Sequence, residues 1–287
     1  MHDWKKYRYT YRLWGRLLYD PQADPSSWRR YLDREFGAAS PHLERALAAA
    51  SRILPLVTVV HGAGASNNGY WPELYVNMPI SAGLPAGDYA SDTATPGTFG
   101  SVSPFDPGLF LSIDEHVAEL LSAERSGRYS PEDAAEWLDR LAQEADEELT
   151  AAEASSGVVA SVSFRRLAVD VAAQAGLARF FAGKFRAGVA YSLFRRTKDT
   201  GFLTSAIGSY EAAREAFASV ASITSGRYQP NLAFGTRVSE HGHWADRLPA
   251  IDEDLEALRR EQQTAGTSRK RPAAELRRPP AGGRAGL

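Results

Sequence analysis

The chain has 287 residues, 44% hydrophobic and 24% charged, with a formal net charge of -2, enough for one large domain or two small ones. Its near-neutral balance argues against a dedicated nucleic-acid or anionic-membrane partner, and the lack of cysteine excludes disulfide scaffolds and thiolate metal sites. No apolar segment of signal-peptide type follows Met1-His2-Asp3-Trp4 and no run approaches a membrane span, so the chain as given reads as cytoplasmic, or as exported if it is a piece of a larger secreted protein.

The segment from Trp4 to Tyr19 reads as an amphipathic helix. Trp4, Tyr7, Tyr11, Trp14, Leu17 and Leu18 recur at three- and four-residue steps, with Lys5, Arg8, Arg12 and Arg16 between them. An opening almost inside an aromatic helix is what a piece of a longer protein would show. Asp20-Pro21 stops this helix, and Asp24-Pro25-Ser26 starts a second with Trp28, Tyr31, Leu32 and Phe36, closed by Gly37. Ser40-Pro41 supplies an N-cap and an N1 proline for a third, whose stripe is Leu43, Ala46, Leu47, Ala50 and Leu54 and whose end Pro55 disturbs.

The stretch from Leu54 to Asn77, LPLVTVVHGAGASNNGYWPELYVN, has a different composition. An apolar run leads to His61, then a Gly/Ala/Ser loop, then Asn67, Asn68, Gly69, Tyr70, Trp71, Pro72 and Glu73. Asn and His exchange hydrogen bonds with vicinal hydroxyls, and Trp or Tyr covers the apolar face of a sugar ring. The plainer account is that Asn-Gly makes a turn and Trp71-Pro72-Glu73 a helix start. Concentration favours binding, since no other window combines amides, an imidazole, two aromatics and a carboxylate. From Met78 to Pro107 the chain is rich in Gly, Pro, Ser and Thr, a long loop that Tyr89, Phe99, Phe105 and Phe110 should hold to the surface.

Ser112 with Glu115 forms a capping box for a helix through Val117 and Leu121, and Ser130-Pro131-Glu132-Asp133 repeats the device. Glu144, Asp146, Glu147 and Glu148 read as a solvated face. Ser163 to Arg196 is the longest periodic segment, ~45 Å as a helix, and Gly176, Gly183 and Gly188 within it imply close helix approach or a break near Gly183. A partner over Phe202 to Ser222 should fold back as an antiparallel hairpin. A last short helix carries Ile251, Leu255 and Leu258. The sequence thus predicts a mainly α fold: an irregular multi-helix bundle over 1–262, with long ordered loops, any subdivision near 100–111, and a disordered tail over 263–287.

A second polar cluster is His241-Gly242-His243-Trp244 with Asp246 and Arg247. Two histidines on one side of a strand beside a carboxylate are a zinc-like arrangement. No further ligand signature is nearby, and histidines bonded to backbone with Asp246–Arg247 capping the last helix fit as well. We expect neither metal nor cofactor. Catalytic signals are thin: no nucleophile elbow, Walker loop, metalloprotease helix or dinucleotide fingerprint is present. A glycosidase needs two carboxylates across one pocket, and Glu73, Asp88, Asp106 and Asp114 are the candidate acids by their place in or next to loops.

RLWGRLLYDP near the start, ASRILPLVTVVH followed by NNGYWPELYVNMPI, and GHWADRLPAID near the end resemble the C-terminal helical region of large bacterial glycoside-hydrolase-like proteins. These are similar to the α-glucuronidase group, in which a helical domain follows a (β/α)8 barrel. The resemblance covers most of residues 4–258. It implies a carbohydrate ligand and a catalytic barrel or upstream polypeptide as partner, with catalytic carboxylates on that barrel. This chain lacks the alternating strand–helix pattern of a barrel, so none is carried over. Three functions follow as expectations. The first is an accessory helical domain placing His61, Asn67, Asn68, Tyr70, Trp71, Glu73, His241, His243 and Trp244 around a sugar. The second is an autonomous glycoside hydrolase using loop carboxylates, and the third is an interaction module on the Phe164–Ser222 hairpin.

Overall fold

The computed structural model describes residues 3–61, 78–82, 98–122, 125–155, 157–233 and 241–269. Among them the fold is mainly α: α1 Arg8–Tyr19, α2 Ser26–Phe36, α3 Ser40–Ala50, α4 Ile53–Val60, α5 Ile113–Ser122, α6 Pro131–Glu153, α7 Val162–Thr197, α8 Thr200–Thr224 and α9 Leu248–Arg269. One two-stranded antiparallel ribbon joins β1 Leu232–Ala233 to β2 His241–Gly242.

α7 is the spine. It runs unbroken for 36 residues, with α6 and α8 packed along it, α3 against α6 and α9 against α8. Its apolar positions point nearly all round, as a helix enclosed on most sides requires. Phe164, Phe180, Phe181, Phe185 and Phe194 are all buried. Glycine at 183 is a packing requirement, since a Cβ there would stand 2.9 Å from the Ala213 Cβ and 3.0 Å from the Ser209 carbonyl oxygen on α8. The helix does not break at this glycine, because the approach of α8 fills the space. Lys198, in the left-handed region at φ 60°, ends α7, and the Asp199 side chain caps α8 by accepting from Gly201 N–H. This makes the α7–α8 hairpin.

Both capping boxes form: Ser112 with Glu115, and Ser130 with Asp133 at the start of α6. Gly37 ends α2 at φ 55°. Other boundaries differ from the sequence reading. Ser40 stands inside α3 and gives its hydroxyl to the Asp33 carboxylate instead of capping. The third helix ends at Ala50, and Pro55 lies in the first turn of α4, where a missing N–H costs nothing. α9 continues to Arg269, past the expected boundary at Gln262.

The acidic side of α6 is less solvated than expected. Glu144 pairs with Arg52 at 3.1 Å, Glu148 with Arg45 at 2.6 Å, and Asp139 with Arg186 at 2.7 Å, while Asp146 meets Arg179. Exposed pairs of this kind contribute about 0–1 kcal/mol each, so they align α3, α6 and α7 without holding them together. α1 differs most. It contains no buried residue, and it is held to the body by Tyr9, whose hydroxyl donates to Glu44 at 2.9 Å, and by Arg8 and Arg12 over the Tyr31 ring.

Candidate functional site

Two polar arrangements lie along α7, one around its middle and one beside its first turns. The first surrounds Lys184, which is fully buried with its Nζ 2.7 Å from the Met78 carbonyl oxygen and lying over the rings of Phe99, Phe180 and Tyr210. Burial pushes its amine down to about 7, against the opposing charge of Asp254. Asp254, on α9 and also buried, accepts from Ile80 N–H at 2.6 Å, Ser81 N–H at 3.0 Å and the Ser81 hydroxyl at 2.6 Å. The Tyr191 hydroxyl accepts from Ala82 N–H and donates to Glu261.

His61 belongs to this arrangement. It is 2% exposed, stacks on Phe99 at 4.0 Å and donates from Nε2 to the Phe99 carbonyl at 2.9 Å. Burial drives its pKa down to about 3; the Phe99 carbonyl opposes this and the Lys184 charge adds to it. The imidazole is therefore neutral and packed inside. Its chemistry is anchorage: His61, Met78, Ala82 and Phe99 are the points where the chain leaves for, and returns from, the segments 62–77 and 83–97. Asn67, Asn68, Tyr70, Trp71 and Glu73 lie outside the described residues, as do Asp88 and Tyr89. Phe99 and Phe110 are buried while Phe105 is exposed.

The second arrangement is an open cleft of about 970 Å³ beside the first turns of α7 and the end of α8. Its walls include Lys6, Tyr7, Glu153, Arg165, Arg166, Asp170, Arg227 and Tyr228. Tyr228 donates its hydroxyl to Asp170, Lys6 donates to the same hydroxyl at 3.3 Å, and Lys6 and Asp170 pair at 3.2 Å. Burial and the Asp170 charge hold the Tyr228 phenol well above its ordinary value. For Lys6, burial disfavours the ammonium, but Asp170 and the two tyrosines outweigh it and raise the pKa. Arg166 is different. Its Nη2 is buried and finds no acceptor among the described residues, and a buried guanidinium donor without a partner is costly.

His241, His243 and Trp244 gather behind this cleft. Trp244 meets Tyr228 edge to face at 5.1 Å, and His243 meets Trp244 at 5.3 Å. His243 caps the short 3-10 turn Trp244–Arg247. Its Nδ1 accepts from Ala245 N–H, and its own N–H goes to Asp246. His243 is thus bonded to backbone, and the cap it makes with Asp246 is that of the short turn and not of the last helix; no group of three or more His, Asp or Glu that could hold a metal gathers among the described residues. Of the first predicted cluster only His61 lies among the described residues, and it packs on Phe99 while Trp244 packs on Tyr228. Lys184, beside His61, and Asp170, on the Tyr228–Trp244 side, are separated by fourteen positions of one helix, or ~21 Å.

Sequence reasoning passed over Lys6, Arg166, Asp170, Lys184 and Asp254. A signal existed in two of them: Asp170 sits in AVDVAA and Lys184 in FFAGKF, each the one charge of a short apolar run in a buried helix. A charge in such a setting must be paired or hydrogen-bonded.

No family model and no curated protein matches this chain. Among solved structures, the chain is similar to a GH138 enzyme targeting pectin rhamnogalacturonan II. The TM-score is 0.69 at 16% sequence identity, covering 90% of this chain and 38% of that one. The likeness establishes a fold shared with part of a glycoside-hydrolase-like protein. This chain spans well under half the length of that relative.

Proposed function

We propose that the chain is the helical accessory domain of a carbohydrate-active, glycoside-hydrolase-like protein, and that the cleft beside Tyr228 binds an acidic sugar. The observation that carries this reading is Arg166, whose buried, unpartnered guanidinium nitrogen belongs to a residue lining the cleft. Guanidinium forks match carboxylates bidentately, so a uronic-acid carboxylate is the complementary ligand. Arg165 and Arg227 add positive charge, and Tyr7 and Tyr228, each with the Lys6 ammonium over its ring, put aromatic surface in the cleft wall. The resemblance to α-glucuronidase-like proteins and the shared fold with a pectin-targeting enzyme support the same ligand class. Asn67, Asn68, Tyr70, Trp71 and Glu73, in the sequence segment that follows His61, stand as a separate set of proposed sugar contacts. Asp170, engaged by Lys6 and Tyr228, is a positioning group, and we assign no catalytic acid to the chain.

The test is calorimetric titration of the purified chain with oligogalacturonates, oligoglucuronates and their neutral counterparts. Binding of the acidic series, lost in Arg166→Met, supports the proposal. Equal binding of acidic and neutral sugars, or binding of neither, overturns the cleft assignment. Turnover of aryl-uronides by the wild-type chain would replace the accessory reading with that of a hydrolase.

A further inference from the structure

Lys6 reaches the cleft from a distant part of the sequence. It lies in the 3-10 turn Asp3–Tyr7, 222 positions from Tyr228, to whose hydroxyl its Nζ donates at 3.3 Å while pairing with Asp170 at 3.2 Å. The Nζ stands over the Tyr7 ring at 4.9 Å and the Tyr228 ring at 5.0 Å, and the side chain is only 18% exposed. Apolar packing does not draw it there. α1, which follows, turns its apolar side outward, with Tyr11 and Trp14 each 62% exposed and Leu18 84%. The N-terminal segment meets the body through the polar contacts of Lys6, Tyr9, Arg8 and Arg12.

What Lys6 holds is a carboxylate that has another claimant. Arg166 and Asp170 are four positions apart on α7 and both line the cleft, so they stand on consecutive turns of one helix face, ~6 Å apart along the axis. An arginine and an aspartate at this spacing are neighbours within pairing reach. Here they are not paired. Asp170 is engaged by the Tyr228 hydroxyl and by Lys6, and the buried Nη2 of Arg166 finds no acceptor among the described residues. Glu153, the other carboxylate of the wall, is exposed.

We propose that Lys6 is the positioning residue of the cleft: together with Tyr228 it holds the Asp170 carboxylate away from Arg166, so that the guanidinium is kept for a carboxylate brought by the ligand. This role rests on the acidic-sugar reading of the cleft and adds how the chain guards the site against its own nearest anion. An intramolecular carboxylate competes at high effective concentration, and an unguarded Arg166 would pair within its own helix before any ligand arrived. Lys6 also offsets the Asp170 charge, which would otherwise repel an incoming uronate. It does both without touching the ligand.

The experiment has two arms. In the first, the purified chain is titrated calorimetrically with oligogalacturonate. Lys6→Met should weaken binding about fivefold or more, the effect of releasing a carboxylate one helical turn from the guanidinium. Lys6→Arg restores a cation for Asp170 and should recover most of that loss. Adding Asp170→Asn to Lys6→Met should bring affinity back to within about twofold of wild type. Adding Glu153→Gln instead gives the same net charge and should leave binding weak. Equal rescue by the two charge-matched double variants, or rescue by neither, overturns the proposal. A loss caused by misfolding of Lys6→Met would not be rescued at Asp170. The second arm needs no ligand. Arg166→Met should not lower the urea midpoint of the wild-type chain, but should lower that of Lys6→Met, where it breaks the new pair with Asp170. The same shift in both backgrounds overturns the proposal whatever the sugars do. A wild-type chain that binds no oligogalacturonate removes the acidic-sugar reading and the ligand half of this role with it. A wild-type chain that binds while the Asp170→Asn rescue fails removes the role of Lys6 alone.

Discussion

Lys184 Nζ donates to the Met78 carbonyl oxygen at 2.7 Å, tying the middle of α7 to the chain between the two long segments. The folded amine titrates near 7 and the unfolded one near 10.5. Between those values the unfolded chain holds a proton that the folded chain lacks, so stability rises with pH across the window. Below about 7 both states are protonated and the burial penalty is fully present. His61 acts in the same sense lower down: its folded value is about 3 against 6.5, so stability falls as pH drops from 6.5 toward 3. Urea unfolding followed across both windows checks this. Lys184→Met should flatten the upper slope and leave the lower one.

Helix proximity makes a paired test of glycine. Gly183→Ala gains about 1 kcal/mol of helix propensity but forces a methyl against Ala213 and the Ser209 carbonyl. We expect a net loss of about 1–3 kcal/mol from overpacking. Gly208→Ala, on the neighbouring helix with nothing within 4 Å of the new Cβ, should raise stability by up to about 1 kcal/mol. Equal effects at the two positions would show that α7 and α8 do not approach as described.

Asp254 satisfies two buried amides and one hydroxyl of residues 80–81. Asp254→Asn replaces an acceptor oxygen by a donor and leaves one amide unpaired. Stability should fall by about 2–4 kcal/mol, and hydrogen exchange at the Ile80 and Ser81 amides should quicken more than exchange in α6. A uniform change across the protein would argue against a local anchor.

In the cleft, Arg166→Met should weaken acidic oligosaccharide binding by about tenfold or more, since hydrogen bonds to charged groups contribute about 1.5–3 kcal/mol. Arg166→Lys keeps the charge but not the fork, and should recover only part of that loss. Stability of Arg166→Met should not fall, because the variant removes an unpartnered buried donor. Calorimetry for binding and urea melts for stability separate the two effects.

The helices are largely legible in the sequence, and for local reasons. Ser112 with Glu115, Ser130 with Asp133, and Gly37 act through bonds or φ angles within a few residues, so their spacing carries the signal. The three glycines of α7 likewise announce close packing. Position in space is not legible. His61 looks like a ligand-facing residue because its neighbours are polar in sequence, yet Phe99, 38 positions away, closes over it. Trp244 is expected beside the same ligand as His61, yet it packs on Tyr228 while His61 packs on Phe99. Lys184 and Asp254 draw no notice because their partners, Met78 and Ser81, are distant in the chain. The outward face of α1 is hidden for the opposite reason: periodicity shows that a helix has an apolar side, not which way the helix is mounted.

The bond between Asp254 and Ser81 spans 173 residues, and this sets an order of events during synthesis. Ile80 and Ser81 leave the ribosome early, whereas their acceptor is made near the end. At ordinary translation rates that interval is roughly 10–35 s. Until α9 emerges, those amides can bond only to water, and the Met78 carbonyl waits on α7 for Lys184. The base of both long segments is therefore fastened late. A nascent chain halted before Asp254 would expose that base to proteases and chaperones while α3 and α6 were already free to pair.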